Sequence, residues 1–136
     1  MRSRGFTLIE LLVVIAIIGI LSAVVLASVS AARNKGIDAA TKQDLNGIEA
    51  QAVLYELNNP SDTGLCGDPK VSSIFSAARS GAGGGVCNSD SSGWAAYIPL
   101  KSPSSGMAGW CVDRNGAKEV PASITASNCN AVSVPL

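Results

Sequence analysis

From Leu11 to Ala32 the chain carries no charged residue, and nothing else in it restricts the fold as strongly. A helix rising ~1.5 Å per residue covers ~33 Å over that stretch, enough to cross a hydrocarbon core ~30 Å thick. Leu11, Leu12, Val13, Val14, Ile15, Ile17, Ile18, Ile20, Leu21, Val24, Val25, Leu26 and Val29 lie all round such a helix. A helix immersed in lipid is apolar on every side, whereas one resting on a soluble domain keeps a polar face. The core helix of a small soluble domain has no use for that length. Composition agrees: of 136 residues 47% are hydrophobic and 15% charged, where ~25% charged is usual, so the apolar surplus is local. The length leaves room for one modest domain beside the span.

The residues before the stretch are informative in their order. Met1 to Gly5 is basic, through Arg2 and Arg4, and ends in glycine. An ordinary secretory signal has an apolar core of only ~7–15 residues and is removed after it. The longer stretch here favours keeping the helix and removing the short polar piece ahead of it. Gly5 offers a protease a flexible bond with no side chain in the way, and the new amino terminus would be Phe6. Glu10 then sets a carboxylate at the start of the apolar stretch, where an unpaired charge costs ~2.5–3.5 kcal/mol. Such a group needs a partner, or must reach back to the headgroup layer.

Gly5-Phe6-Thr7-Leu8-Ile9-Glu10-Leu11-Leu12-Val13-Val14 resembles the processing motif of type IV prepilins and type II secretion pseudopilins. The resemblance implies that a prepilin peptidase cuts between Gly5 and Phe6 and that the new amino group of Phe6 is methylated. For Glu10 it implies a meeting with the terminal amine of a neighbouring subunit during assembly. The physics is compatible, since breaking a buried ion pair costs ~3–5 kcal/mol and so favours docking in one register. The chain departs from the family in one respect. Members often carry a proline shortly after the glycine of the apolar helix, and here Gly19 is followed by Ala27 at that place. Gly19 alone weakens a helix by ~1 kcal/mol relative to alanine, so melting between Gly19 and Ala27 on leaving lipid is an expectation.

Charge does not orient the span, because Arg2 and Arg4 on one side are balanced by Arg33 and Lys35 on the other. Cysteines do. Cys66, Cys87, Cys111 and Cys129 all follow the apolar stretch, and disulfides persist in oxidising compartments, which puts the C-terminal part outside the cytoplasm. None lies in a Cys-x-x-Cys spacing and the chain has no histidine, so a zinc site finds little support. Ten basic residues less Arg2 and Arg4 leave eight against ten acidic ones. That balance argues against a general nucleic-acid surface, which needs a strong basic field. With no histidine base and no serine in a nucleophile-elbow setting, an enzyme is not expected, nor is a cofactor.

Beyond Ala32 the sequence stays helix-compatible to about Asn58, with Leu45, Ile48, Ala52 and Tyr55 on one face and Lys42, Asp44 and Glu49 elsewhere. Asn58-Asn59-Pro60 is a stop signal. A helix from Phe6 to Asn58 would be ~80 Å long, more than one small domain can cover. Asp68-Pro69 opens a short second helix with Val71, Ile74, Phe75 and Ala78 on one face, and the Gly81–Gly85 run ends it as a flexible surface loop. Strands are expected at Trp94–Leu100 and Gly109–Arg114, the latter turning at Asn115-Gly116 into Ala117–Val120. Trp94, Tyr97 and Trp110 are the expected core. The layout resembles the pilin head, and Trp110-Cys111-Val112-Asp113 followed by Cys129 is similar to the terminal disulfide region of some pilins. Of the three pairings open to four cysteines, Cys66 with Cys87 and Cys111 with Cys129 are favoured.

The expected class is therefore α+β, a long N-terminal helix with a membrane-spanning first half, packed on a small antiparallel sheet head. The expected parts are a leader at 1–5, an apolar helix at 6–32, its amphipathic continuation at 33–58 and a disulfide-bonded head at 59–136. Function follows as an expectation: a pilus or pseudopilus subunit, stored in the inner membrane as a single-pass protein and then polymerised into an extracellular or periplasmic filament. The implied partners are further copies of the chain, other pilins, a prepilin peptidase, an assembly platform, an assembly ATPase and membrane lipid. The alternative is a single-span extracellular binding or adhesin module that never polymerises, which gives no reason for Glu10.

Overall fold

A computed structural model of the chain describes residues 5–121, 124 and 128–130. The chain divides into two compact units, Met1–Arg33 and Asn34–Leu136. Helix α1 runs from Leu8 to Glu56 and contributes to both. It is unbroken from Gly19 to Ala27, and also at Gly36 and Gly47. A Cβ added at any of these three glycines would meet nothing within 4 Å, so packing inside the chain does not require glycine there.

In the first unit the large apolar side chains from Phe6 to Val29 are all between 49% and 84% exposed. Among the described residues nothing covers them, and α1 is the one helix there long and apolar enough to cross a membrane.

The second unit has the opposite character. Leu45, Ile48 and Ala52 on α1 are fully buried, in one cluster with Leu65, Val71, Ala78, Trp94, Ala96, Ile98 and Val112. Tyr55, at the end of that face, is only partly buried, and its hydroxyl donates to the Thr63 carbonyl at 2.9 Å. Helix α2, Pro69–Ala82, begins where aspartate and proline predict. The Asp68 carboxylate accepts from the amides of Lys70 (2.9 Å) and Val71 (3.4 Å), satisfying donors that a first turn otherwise leaves open. Gly83, at φ 90°, closes the helix in the left-handed conformation that glycine alone adopts without strain.

Four antiparallel strands follow, β1 Val86–Asp90, β2 Gly93–Pro99, β3 Gly109–Asp113 and β4 Gly116–Val120, paired in chain order. β2 is buried on both faces. Trp94, Ala96 and Ile98 point into the cluster beneath the helices. Ala95 and Tyr97 join Cys111, Val120, Ile124 and Cys129 in a second cluster on the other side. The alternation follows from the two-residue period of a strand.

Three expectations of secondary structure need correction. β1 was not foreseen, because Val86-Cys87-Asn88-Ser89-Asp90 carries little of the β-branched, alternating signal that marks a strand. The β3–β4 turn sits one residue earlier than Asn115-Gly116. Asp113 pairs with Gly116, so the turn is Arg114-Asn115, with Gly116 at φ 113° as the first residue of β4. The Gly81–Gly85 run is not a uniformly open loop. Gly81 belongs to α2, and at Gly85 a Cβ would come within 2.8 Å of the Tyr97 carbonyl and 3.1 Å of Phe75.

Buried carboxylates tie the connections to this frame. Asp38 on α1 accepts from the amides of Lys101 (2.6 Å) and Ser102 (2.8 Å), fixing the start of the β2–β3 connection. Asp113 accepts from the Asn115 amide with one oxygen and from the Cys129 amide with the other, both at 2.8 Å. Asp62 accepts from Arg114 at 2.6 Å. Trp110 is half-buried rather than central. Its indole N–H donates to Asn46 at 3.3 Å, and the Lys42 ammonium lies 4.5 Å from its ring centroid. Lys42 also pairs with Glu119 at 2.7 Å.

Candidate functional site: the start of helix α1

The proposed cleavage point is at the very start of the described residues, and leader residues 1–4 lie outside them. Gly5 and Phe6 are exposed and precede the helix, which starts at Leu8. Both residues of this step are exposed and lie outside any helix or strand, as a protease that must take the chain into its cleft requires. Phe6 is 84% exposed.

Thr7 is where the backbone turns into the helix, and the reason lies in its own side chain and that of Glu10. The Glu10 amide donates to Thr7 Oγ1 at 3.3 Å. In return the Thr7 amide and the Thr7 hydroxyl both donate to Glu10 Oε2, at 2.9 and 2.8 Å. This reciprocal pair is a capping box, which satisfies donors that a helix start leaves open. Glu10 therefore has hydrogen-bond partners within its own chain, through one carboxylate oxygen. The missing participant was Thr7. Its signal was present as a threonine three residues ahead of a glutamate, immediately before an apolar run.

The cysteines are far from this point in sequence and belong to the second unit. Cys66 is bonded to Cys87 and Cys111 to Cys129, each with Cα atoms 5.8 Å apart. The first bridge ties the 3-10 turn Leu65–Gly67 to β1 and so brackets α2. The second fastens the segment after β4 to β3, and both of its cysteines are buried. Among the described residues no group of three or more His, Cys, Asp or Glu side chains is placed to hold a metal ion.

An exposed glycine bond, a capped helix start and an uncovered apolar helix occur in a row, and comparison of the sequence with known families assigns that row. Residues 1–26 match the family profile described as the prokaryotic N-terminal methylation motif. The chain carries a prepilin-type methylation motif. Two curated relatives extend the likeness past the motif. The chain is 44% identical over 62 residues to the type IV wide pilus major component PilA4 of Thermus thermophilus, covering 46% of this chain and 47% of that protein. It is 36% identical over 58 residues to the type II secretion system core protein G of Dickeya chrysanthemi, covering 43% and 38% respectively. The match thus spans less than half the length of either relative. No solved structure matches the chain. The described part of the methylation motif takes in the exposed Gly5–Phe6 step, the Thr7–Glu10 cap and the first turns of α1.

Proposed function

We propose that the chain is a structural subunit of a type IV pilus or a type II secretion-like pseudopilus. It is cleaved between Gly5 and Phe6, methylated on Phe6 and polymerised through its N-terminal helix. The observation that carries this reading is the conjunction at α1. An exposed glycine bond stands just ahead of a helix whose large apolar side chains from Leu8 to Val29 are all left exposed by the described residues. Such surface is stable in lipid before assembly, and against other copies of itself afterwards, because both environments remove it from water. The match of residues 1–26 to the methylation motif, and the two relatives named for a pilus and for a secretion system, support the same reading.

In this reading residues 1–5 are the leader, 6–32 the lipid and filament-core helix, 33–58 its amphipathic continuation and 59–136 the outward head. The subunit is single-pass in the inner membrane before it enters a filament. It is served by a prepilin peptidase, a platform protein and an assembly ATPase, and it acts as a building part rather than an enzyme. Glu10 meets the terminal ammonium of a second copy.

The test is mass spectrometry of the protein in sheared surface or periplasmic filaments. The expected mature chain begins at N-methylated Phe6. Filaments containing intact Met1, or a protein found only as single membrane-anchored copies, would overturn the reading.

A further inference from the structure

We propose that Thr7 is a positioning residue for assembly, holding the Glu10 carboxylate so that one of its oxygens is presented to a second copy of the chain. The inference rests on the reading of Glu10 given above and deepens it.

Two of the three hydrogen bonds of the cap reach the carboxylate, and both use the same oxygen. Oε2 takes the Thr7 amide at 2.9 Å and the Thr7 hydroxyl at 2.8 Å, while the hydroxyl oxygen accepts the Glu10 amide at 3.3 Å. Oε1 has no hydrogen-bond partner among the described residues. Thr7 thus does not compete with an incoming cation for the same oxygen. It fixes one half of the carboxylate and leaves the other half open.

The physical need for such a device comes from the surroundings. A flexible glutamate at the start of an apolar helix turns toward the headgroup water, as charged side chains near a membrane surface generally do. There it would be solvated and pointed away from the helix flank that a neighbouring subunit approaches. Two donors one helical turn back hold it on the helix instead. The carboxylate remains ionised and partly satisfied, so the ammonium of the second copy completes its shell without first drawing it out of water. A preorganised acceptor of this kind lowers the cost of docking, because its ordering precedes the encounter.

The test compares full-length chains with Thr7→Val, Thr7→Ser and Glu10→Ala, expressed in the assembling host. Valine matches threonine in shape and lacks the hydroxyl, whereas serine keeps it. Loss of a capping hydroxyl is worth a factor of about five in an equilibrium, so Thr7→Val is expected to give about fivefold fewer filaments. Its cleavage at Gly5, methylation of Phe6 and total subunit level should match the unmodified chain, and Thr7→Ser should restore filament yield. A Thr7→Val chain that assembles normally while Glu10→Ala does not would overturn this inference and leave the reading of Glu10 standing. Normal assembly of Glu10→Ala would overturn both. Impaired cleavage or a reduced subunit level in Thr7→Val, or failure of Thr7→Ser to restore filaments, would assign Thr7 to processing or folding instead and overturn the positioning role.

Discussion

The units Met1–Arg33 and Asn34–Leu136 bury their apolar residues by opposite means. In the second, Leu45, Ile48, Trp94, Ile98 and Val112 find each other, and two disulfides and three buried aspartates pin the connections around them. In the first, Leu12, Ile15, Ile18 and Leu21 stay exposed among the described residues. A helix with no tertiary partner is held by its own backbone bonds and its cap, and in water most helices of a folded protein need more than that. One unit therefore has an interior, and the other presents apolar surface that the described residues leave open.

The contrast is broken most directly by separating the two. A chain starting at Asn34 is expected to be soluble without detergent and to keep both disulfides, while the full chain partitions into membranes or micelles. Ultracentrifugation and thiol counting check this, and aggregation of the isolated 34–136 segment would show that the second unit also depends on the first. The next largest difference should appear between two truncations of similar kind. Trp94→Ala, in the buried cluster, is expected to cost the head about 3–5 kcal/mol. Ile17→Ala, on the uncovered helix, should leave the head's melting temperature in detergent unchanged.

Removing the buried bridge by Cys111→Ser with Cys129→Ser is expected to cost about 2–4 kcal/mol by denaturant titration. Asp38→Ala should cost about 2 kcal/mol, because two amides that now donate to a carboxylate lose their acceptor.

The smallest effect sharpens the comparison through pH. Hydrogen bonds from Lys42 and from Ser104, with the Lys42 charge, hold the Glu119 carboxyl at about 2 rather than its ordinary 4.5. A folded value below the unfolded one means that the carboxylate favours the folded state above about pH 4.5. That contribution falls away as the pH drops toward 2. The difference in melting temperature between the head and its Glu119→Gln variant should thus be constant near neutrality and close between those two values. A difference that is flat from pH 5 to pH 2 would show that the Lys42 pair contributes nothing.

How much of this was legible depends on where the determining interactions lie. The apolar stretch, the Asp68-Pro69 helix start and the face formed by Leu45, Ile48 and Ala52 are local patterns, and periodicity exposes them. The Thr7–Glu10 cap is equally local, but a carboxylate beside an apolar run reads as a membrane-edge charge as readily as a capping partner. β1 is different in kind. Asn88, Ser89 and Asp90 become a strand because β2 offers a register and Cys87 is tied to Cys66, and neither fact is visible in five residues. The same holds for Asp38 and Asp62, whose burial depends on amides and a guanidinium more than fifty positions away. Trp110 was expected inside on composition, but its place opposite Glu119 on β3, beside Lys42 and Asn46, leaves it at the margin.

The burial of β2 on both faces has a consequence for the order of events in a growing chain. Synthesis that has reached Val120 has delivered β1 to β4, α1 and α2, but not Ile124 or Cys129, which coat the outer side of Ala95 and Tyr97. At that moment the sheet is complete and half naked, and Cys111 still lacks its mate. Closing the Cys111–Cys129 bridge is therefore also the step that holds the cover of β2's outer face in place, so an oxidising milieu acts on this molecule as a timer as well as a stabiliser.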